Sequence, residues 1–389
     1  MGNQFGRQLV VEICHRKGGT GGLQRRLFRG RHGVVYRLDY GQGQAVLRSA
    51  SPVVRAFAAR WLYHAIMKRT GPSAWLLYTG VRVILAIMQI FPLEWNLRTA
   101  RVLARIWVRI TPRHRNRAIA HLSQSYDGEL GPAEIARLAD RCLASVTMFA
   151  VEVICLPRLI NQFTWSRYIR LVDFEQLLQL MLSGRGAILV TGHYGSFELI
   201  GHLIACLGFR MIAVMRPLDN EYLNRFLVET RRTHGLTLLD KKGATNDAEG
   251  LLGSGALLGF IGDQDAGRKG VFVDFFGQPA STYKSIALLA MSTRVPIVVG
   301  YARRQGDSPR YDLGVQRIIR PEEWEAVDDP LFWITQAYTS AIEEVVRAEP
   351  EQYLWIHRRG KSQPRTGVRK AAVPDPAQPA AGAVTRDLC

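Results

Sequence analysis

Cysteine is scarce and scattered. Cys14, Cys142, Cys155, Cys206 and Cys389 form no CxxC pair in 389 residues. That pattern excludes a zinc ribbon and a disulfide framework, and it makes a reducing cytosolic setting the default. No phosphate loop is present, because "HRKGGTGG" has the glycines but lacks GK[ST]. A serine nucleophile elbow is missing too. It requires GxSxG, and around Ser196 the outer glycine positions hold Tyr194 and Glu198. No secretory signal is expected, since the first apolar stretch is short and no small-residue cleavage site follows it. Acidic residues are also short: 33 Asp+Glu stand against 51 Lys+Arg, a net +18. This excess points to anionic partners, among them a membrane surface, an acidic carrier protein or nucleic acid. It is concentrated in residues 1–72, which carry net +11.

The chain is nevertheless rich enough in apolar residues, 47% of the total, to bury a substantial core. "AWLLYTGVRVILAIMQIFPL" (74–93) is 20 residues long and would just span a bilayer as a helix. Thr79, Arg82 and Gln89 share one of its faces by spacing, and the other faces are apolar. Trp75 and Tyr78 at one end, preceded by Lys68 and Arg69, suit a membrane interface. Residues 94–185 read as helices. The pattern then changes to short β-rich runs at 186–192, 210–217, 236–240, 255–265 and 295–304. Helix-like segments separate them at 196–207, 219–234, 245–253 and 282–293. This alternation predicts an α/β fold with a mixed, partly parallel sheet flanked by helices, after an N-terminal membrane-associated helical segment.

In such folds reactive groups collect at the C-terminal ends of strands. His193, Arg216, Asp263 and Asp265 all sit at such ends. In "TGHYGSFELIG" (191–201), Gly192 and Gly195 permit a turn, Ser196 is a reasonable helix cap, and Glu198 opens the helix. Glu198 could accept the Nδ1–H of His193 and leave Nε2 free as a base. Backbone N–H groups near Gly195, or Arg216, are candidate oxyanion donors. A guanidinium at 216 can grip a phosphate bidentately. HxxxxE without a second histidine is a weak metal signal. Asp263-Gln264-Asp265 leaves open a metal-dependent glycosyltransferase, although no nucleotide fingerprint accompanies it. A basic binding protein without catalysis is the non-enzyme alternative. "VFVDFFGQPA" (271–280) either lines an acyl groove or joins the core, and "EQYLWIHRRGK" (351–361) mixes aromatic and basic residues as a membrane or carrier-binding edge would.

Taken as a set, four blocks resemble the lipid A biosynthesis (lauroyl/myristoyl) acyltransferases of the glycerolipid acyltransferase superfamily. They are "TGHYGSFELIG", "MRPLDNEYLNRFLVETRRTHG" (215–235), "GFIGDQDAGRKGVFVDFFGQPASTYKSIALLA" (259–290) and "PEQYLWIHRRGK" (350–361). The resemblance runs from about residue 74 to 361. It implies transfer of a fatty acyl group from a thioester, on acyl carrier protein or coenzyme A, to a hydroxyl of a membrane glycolipid or phospholipid. His193 and Glu198 would be catalytic. Gly195, Arg216, Asp263, Asp265, Gly267 and Lys284 would contact substrate. No cofactor, metal or nucleic acid is implied. With the charge of the N-terminus and the Pro- and Ala-rich, aperiodic C-terminus, the expected organisation is a flexible basic arm over 1–73, a membrane-associated helix over 74–93, a catalytic domain over 94–361 and a disordered tail over 362–389. The implied location is the cytoplasmic face of the cytoplasmic membrane.

Overall fold

A computed structural model describes residues 24–29, 35–40, 70–110, 112–215, 217–232, 235–240 and 244–364. The chain divides into two units, Met1–Met67 and Lys68–Cys389. In the first, strands β1 (Gln24–Arg29) and β2 (Val35–Tyr40) pair antiparallel, an element that the expectation of a flexible arm did not include. Residues 1–23, 30–34 and 41–69 of that arm, and the expected tail from residue 365 on, lie outside the described residues, while Pro72 and Ser73 already belong to the first helix of the next unit.

The second unit opens with four helices: α1 (Pro72–Ile90), α2 (Leu93–Ile110), α3 (Pro112–Ser125) and α4 (Pro132–Leu159). Pro72 and Pro132 take the first positions of α1 and α4, where a missing N–H is harmless. Both α1 and α4 are long and apolar enough to cross a membrane, but they differ in what covers them. Eleven of the buried residues in the core belong to α4, whereas α1 buries only Ala74 and Leu85.

A seven-stranded sheet follows. Its spatial order is β3 (Ile169–Val172), β11 (Tyr311–Ile319), β10 (Ile297–Arg304), β4 (Ala187–Thr191), β7 (Leu257–Ile261), β5 (Met211–Met215) and β6 (Thr237–Asp240). From β10 to β6 every neighbour is parallel, while β11 runs antiparallel to β10 and carries β3 parallel to itself. The helices α5 (Glu175–Leu182), α6 (Glu198–Cys206), α7 (Glu221–Arg232), α8 (Ala244–Gly253), α9 (Ser285–Thr293), α10 (Pro321–Trp324) and α11 (Pro330–Ala348) complete the unit.

Strand periodicity sends alternate residues to two cores, as a sheet covered on both faces requires. In β4, Ile188 and Val190 join α9 and α11 on one face, while Ala187 and Leu189 join α6 and α4 on the other. The fold is thus the expected α/β architecture, and the five β-rich runs are β4, β5, β6, β7 and β10. Three features differ from the sequence reading. The stretch 94–185 is not wholly helical, because β3 lies within it. The strand β11 was not anticipated; its buried residues Tyr311, Leu313 and Val315 share it with polar Asp312, Gln316 and Arg317. Finally, β8 (Val271–Phe275) and β9 (Gln278–Thr282) form a separate hairpin with Phe275 and Phe276 buried, so "VFVDFFGQPA" belongs to the core and not to an exposed groove.

Candidate active site

The turn that carries His193 is built from one tight approach. Gly195 has φ +54°, and a Cβ there would lie 2.1 Å from the carbonyl oxygen of Ala302 on β10. Only glycine fits both the conformation and the space. Its N–H donates to the Gln352 carbonyl at 3.0 Å, and the Ser196 N–H donates to the Ala302 carbonyl at 2.8 Å. These two amides are therefore committed to holding the turn, and the sequence-based idea that N–H groups near Gly195 serve an oxyanion is corrected for this pair. The His193 carbonyl accepts from the Leu354 N–H at 3.0 Å, so the segment after α11 is stitched along the turn.

The imidazole is held from β7. Asp263, two residues past the end of that strand, accepts the His193 backbone N–H at 2.8 Å through one oxygen and contacts Nδ1 at 2.7 Å through the other. The aspartate is buried and the imidazole nearly so. Burial pulls the imidazole toward its neutral form. The charge and hydrogen bond of Asp263 outweigh this and raise His193 above its ordinary value. Burial alone would raise Asp263, yet His193 and the Arg359 guanidinium hold it well below the usual carboxylate range. With Nδ1–H donated to a permanent carboxylate, Nε2 is left as the acceptor. The Gln264 side-chain amide faces it at 3.4 Å. Phe197 meets the ring edge-on at a centroid distance of 5.3 Å, and His357 stacks beside it at 5.3 Å and 19°. Burial and the neighbouring His193 lower the His357 value, which favours its neutral form.

Glu198 does not take the place expected for it. Its carboxylate pairs with Arg231 at the end of α7, at 2.6 Å. The physical reason is position: Glu198 is the first residue of α6, whose first turn faces α7, whereas Nδ1 turns toward β7. Ser196 does not cap α6 either. Its hydroxyl donates to Glu152 of α4, a buried carboxylate that also receives Arg304 at 2.6 Å and the Tyr311 hydroxyl at 3.0 Å. This committed serine is no nucleophile in waiting.

The remaining expected contacts scatter. Asp265 turns away from Asp263 and accepts from the Ser362 hydroxyl at 3.0 Å and from the Gly267 N–H at 3.2 Å. Lys284 is exposed at the N-terminus of α9, and Arg216 lies outside the described residues. Among the described residues, no group of three or more His, Cys, Asp or Glu side chains is arranged to hold a metal ion. The "EQYLWIHRRGK" stretch is not a surface edge: Tyr353, Trp355 and Arg359 are buried. Arg359 donates to the Gln264 and Ser281 carbonyls at 2.8 and 2.9 Å and to the Thr282 hydroxyl at 2.6 Å, which fixes the loop bearing Asp263. Neither Arg359, Glu152, Arg231 nor His357 was singled out from the sequence. The one usable signal was the arginine-histidine pairing inside an aromatic run, which also reads as a surface.

A cavity of about 150 Å³ lies between α6 and the sheet. Leu189, Phe197, Ile200, Phe260, Val298 and Leu313 line it, and Gly300 on β10 leaves room there, since a Cβ would come no closer than 3.4 Å to any neighbour. Glu198 and Arg231 also border it. A carboxylate-held imidazole thus stands at a strand end, and Phe197, which meets its ring, also borders the apolar cavity.

Comparison with known proteins supplies the class. The model of the bacterial lipid A biosynthesis acyltransferase family matches residues 64–362, and the chain belongs to this family; it is an acyltransferase. Its sequence is 25% identical over 310 residues to the lipid A biosynthesis lauroyltransferase of Escherichia coli K12, covering 75% of this chain and 94% of that protein. It is 31% identical over 199 residues to the lipid A biosynthesis palmitoleoyltransferase of the same organism, covering 49% and 60%. It is also 26% identical over 170 residues to the phosphatidylinositol mannoside acyltransferase of Mycolicibacterium smegmatis, covering 42% and 55%.

Proposed function

We propose that this enzyme transfers a fatty acyl group from a thioester to a hydroxyl of a membrane glycolipid. The observation that carries the reading is the His193–Asp263 pair beside the apolar cavity. Nε2 of His193 takes the proton of the acceptor hydroxyl as its oxygen attacks the thioester carbonyl. Asp263 stabilises the imidazolium that results. The tetrahedral intermediate collapses with cleavage of the C–S bond, and the imidazolium returns the proton to the departing thiolate. The acyl chain occupies the cavity below α6. Glu198 belongs to the site through Arg231, which it orients. Arg216, Gly267 and Lys284 complete the reading as substrate contacts, the two cations toward anionic groups of donor or acceptor.

The glycolipid acceptor is supported by the names of the relatives, two acting in lipid A biosynthesis and one on a phosphatidylinositol mannoside. The donor is acyl carrier protein or acyl-coenzyme A, both cytosolic thioesters. The site accordingly works at the cytoplasmic face of the membrane, where α1 exposes Trp75, Leu76, Val83, Ile84, Ile87 and Ile90. The test is mass spectrometry of lipids formed by the purified protein with each donor and a panel of lipid A precursors and other glycolipids. A mass increase of one acyl group, absent with His193→Ala, is expected. Folded wild-type protein that acylates no glycolipid with either donor overturns the reading.

A further inference from the structure

The helix α2, "LEWNLRTARVLARIWVRI", has three distinct faces. Leu93, Asn96, Leu97, Ala100 and Ala104 are buried, and Leu93, Leu97 and Ala100 pack with Met148, Val151 and Cys155 of α4. Away from that contact, Trp95, Val102, Leu103 and Ile106 are 45–59% exposed. Trp95, Val102 and Ile106 are seven and four residues apart, so they form one stripe. Arg98, Arg105 and Arg109 repeat the same spacing. At roughly 100° per residue they run between the buried face and the exposed apolar stripe. All three are exposed, and among the described residues no carboxylate pairs with them. Arg101 differs: it turns inward to an ion pair with Asp307.

A stripe of large apolar side chains left in water marks a contact surface, and a row of unpaired arginines beside it marks an anionic one. We infer that α2 is a second membrane element, an interfacial helix that lies in the headgroup region of an anionic leaflet. Trp95, Val102, Leu103 and Ile106 enter the acyl boundary, and Arg98, Arg105 and Arg109 meet lipid phosphates. The apolar stripe is continuous with that of α1, because the rings of Phe91 and Trp95 stack across the joint at 6.4 Å and 14°. An acidic protein docked on α2 would have to occupy the space into which α1 presents its own uncovered apolar side chains. A bilayer covers both helices at once. The inference rests on the membrane placement proposed above and adds to it the element that reads lipid charge.

The test is a depth measurement that needs no turnover. In the full-length chain with Cys14 and Cys389 changed to serine, a nitroxide is placed through Val102→Cys or, as control, Leu288→Cys, an exposed site on α9. The chain without an introduced cysteine supplies the background. On vesicles containing anionic lipid, the nitroxide at 102 is expected to be shielded from an aqueous nickel chelate and open to oxygen, while that at 288 stays aqueous. Combining Arg98→Glu, Arg105→Glu and Arg109→Glu should return position 102 to the aqueous phase. Each arginine contributes about a factor of five in surface binding, so the three together give roughly a hundredfold. Near-ultraviolet circular dichroism confirms that this surface variant is folded. A nitroxide at 102 that remains aqueous on anionic vesicles overturns the inference. So does one that an acidic carrier protein shields in solution without any vesicle, which would make α2 a protein-docking face. Failure of the acyl-transfer reading shows instead as absence of product, whatever the nitroxide reports.

Discussion

Asp263→Asn separates the roles of the two carboxylates near His193. The native carboxylate accepts twice from one residue, at 2.8 Å from the backbone N–H and at 2.7 Å from Nδ1. Asparagine offers one acceptor and one donor. If its oxygen stays on the backbone N–H, its NH2 faces Nδ1 and forces the ring proton onto Nε2, where it blocks the base. If the amide flips, the oxygen serves Nδ1 but an NH2 opposes the buried His193 N–H, an unsatisfied pair that costs about 1–3 kcal/mol. Either arrangement depletes the productive state, so the rate should fall by roughly 10²–10⁴-fold, the range for a lost general base. The pH profile should change as well. The native acid limb is expected above the ordinary histidine value, because Asp263 outweighs the effect of burial on His193. The base works only when neutral, so activity rises with pH through that limb. Without the charge only burial remains, and the residual limb should move to lower pH. Glu198→Gln is the control: its carboxylate contacts Arg231, so the rate should drop without a shift of the limb. Stopped assays across roughly pH 5–9 with a fixed acyl donor, about two units either side of pH 7, read both effects. An Asp263→Asn protein with near-native rate and an unmoved limb would refute the mechanism, and a limb shifted by Glu198→Gln would restore that residue as the orienter.

Gly195→Ala should abolish turnover and lower the melting temperature, since a Cβ 2.1 Å from the Ala302 carbonyl adds a clash to the roughly 1–3 kcal/mol of left-handed strain; a native melting curve would show the turn is not so constrained. Gly300→Val should shift preference toward shorter acyl chains, because the added side chain intrudes into the cavity near Ile200; an unchanged chain-length profile would place the acyl chain elsewhere. Excess EDTA should leave turnover unchanged, because both oxygens of Asp263 are engaged by His193; loss of activity restored by Mn²⁺ or Mg²⁺ would favour a metal enzyme built on the DQD stretch. Flotation with anionic liposomes should resist high salt for the intact chain, since apolar insertion of α1 is not screened, and a chain recovered in the soluble fraction at every salt concentration would make α1 a core helix.

Residues whose surroundings are local were legible. "GAILV" followed by Thr-Gly-His announced a buried strand and a reactive turn, and the apolar run before Asp263 placed that aspartate at a strand end. The partner of Nδ1 was not legible, because it depends on β7 entering the sheet beside β4 from 70 residues away, as the pairing of Ala187 with Leu257 shows. Proximity in sequence favoured Glu198 instead, and the direction of the first turn of α6 decided against it. Glu152 gave no signal within an apolar helix, although it anchors the turn through Ser196. Tyr353 and Trp355 have a composition that suits an interface as well as a core, and only the bridge of Tyr353 to Tyr194 separates the two.

The stitching of residues 352–354 along the His193 turn has a consequence for the order of synthesis. The strands β4, β7 and β10 and α1 all leave the ribosome before Gln352, Leu354 and Arg359 do. A nascent chain halted before residue 350 has its apolar first helix, and even the histidine and the aspartate, but lacks the amide partner of Gly195 and the guanidinium that fixes the Asp263 loop. Domains form as units during translation, at roughly 5–20 residues per second, so α1 has tens of seconds in which to meet the bilayer before the base is aligned. On that order anchoring would precede competence, and a product truncated before residue 350 is expected to float with vesicles yet show no turnover.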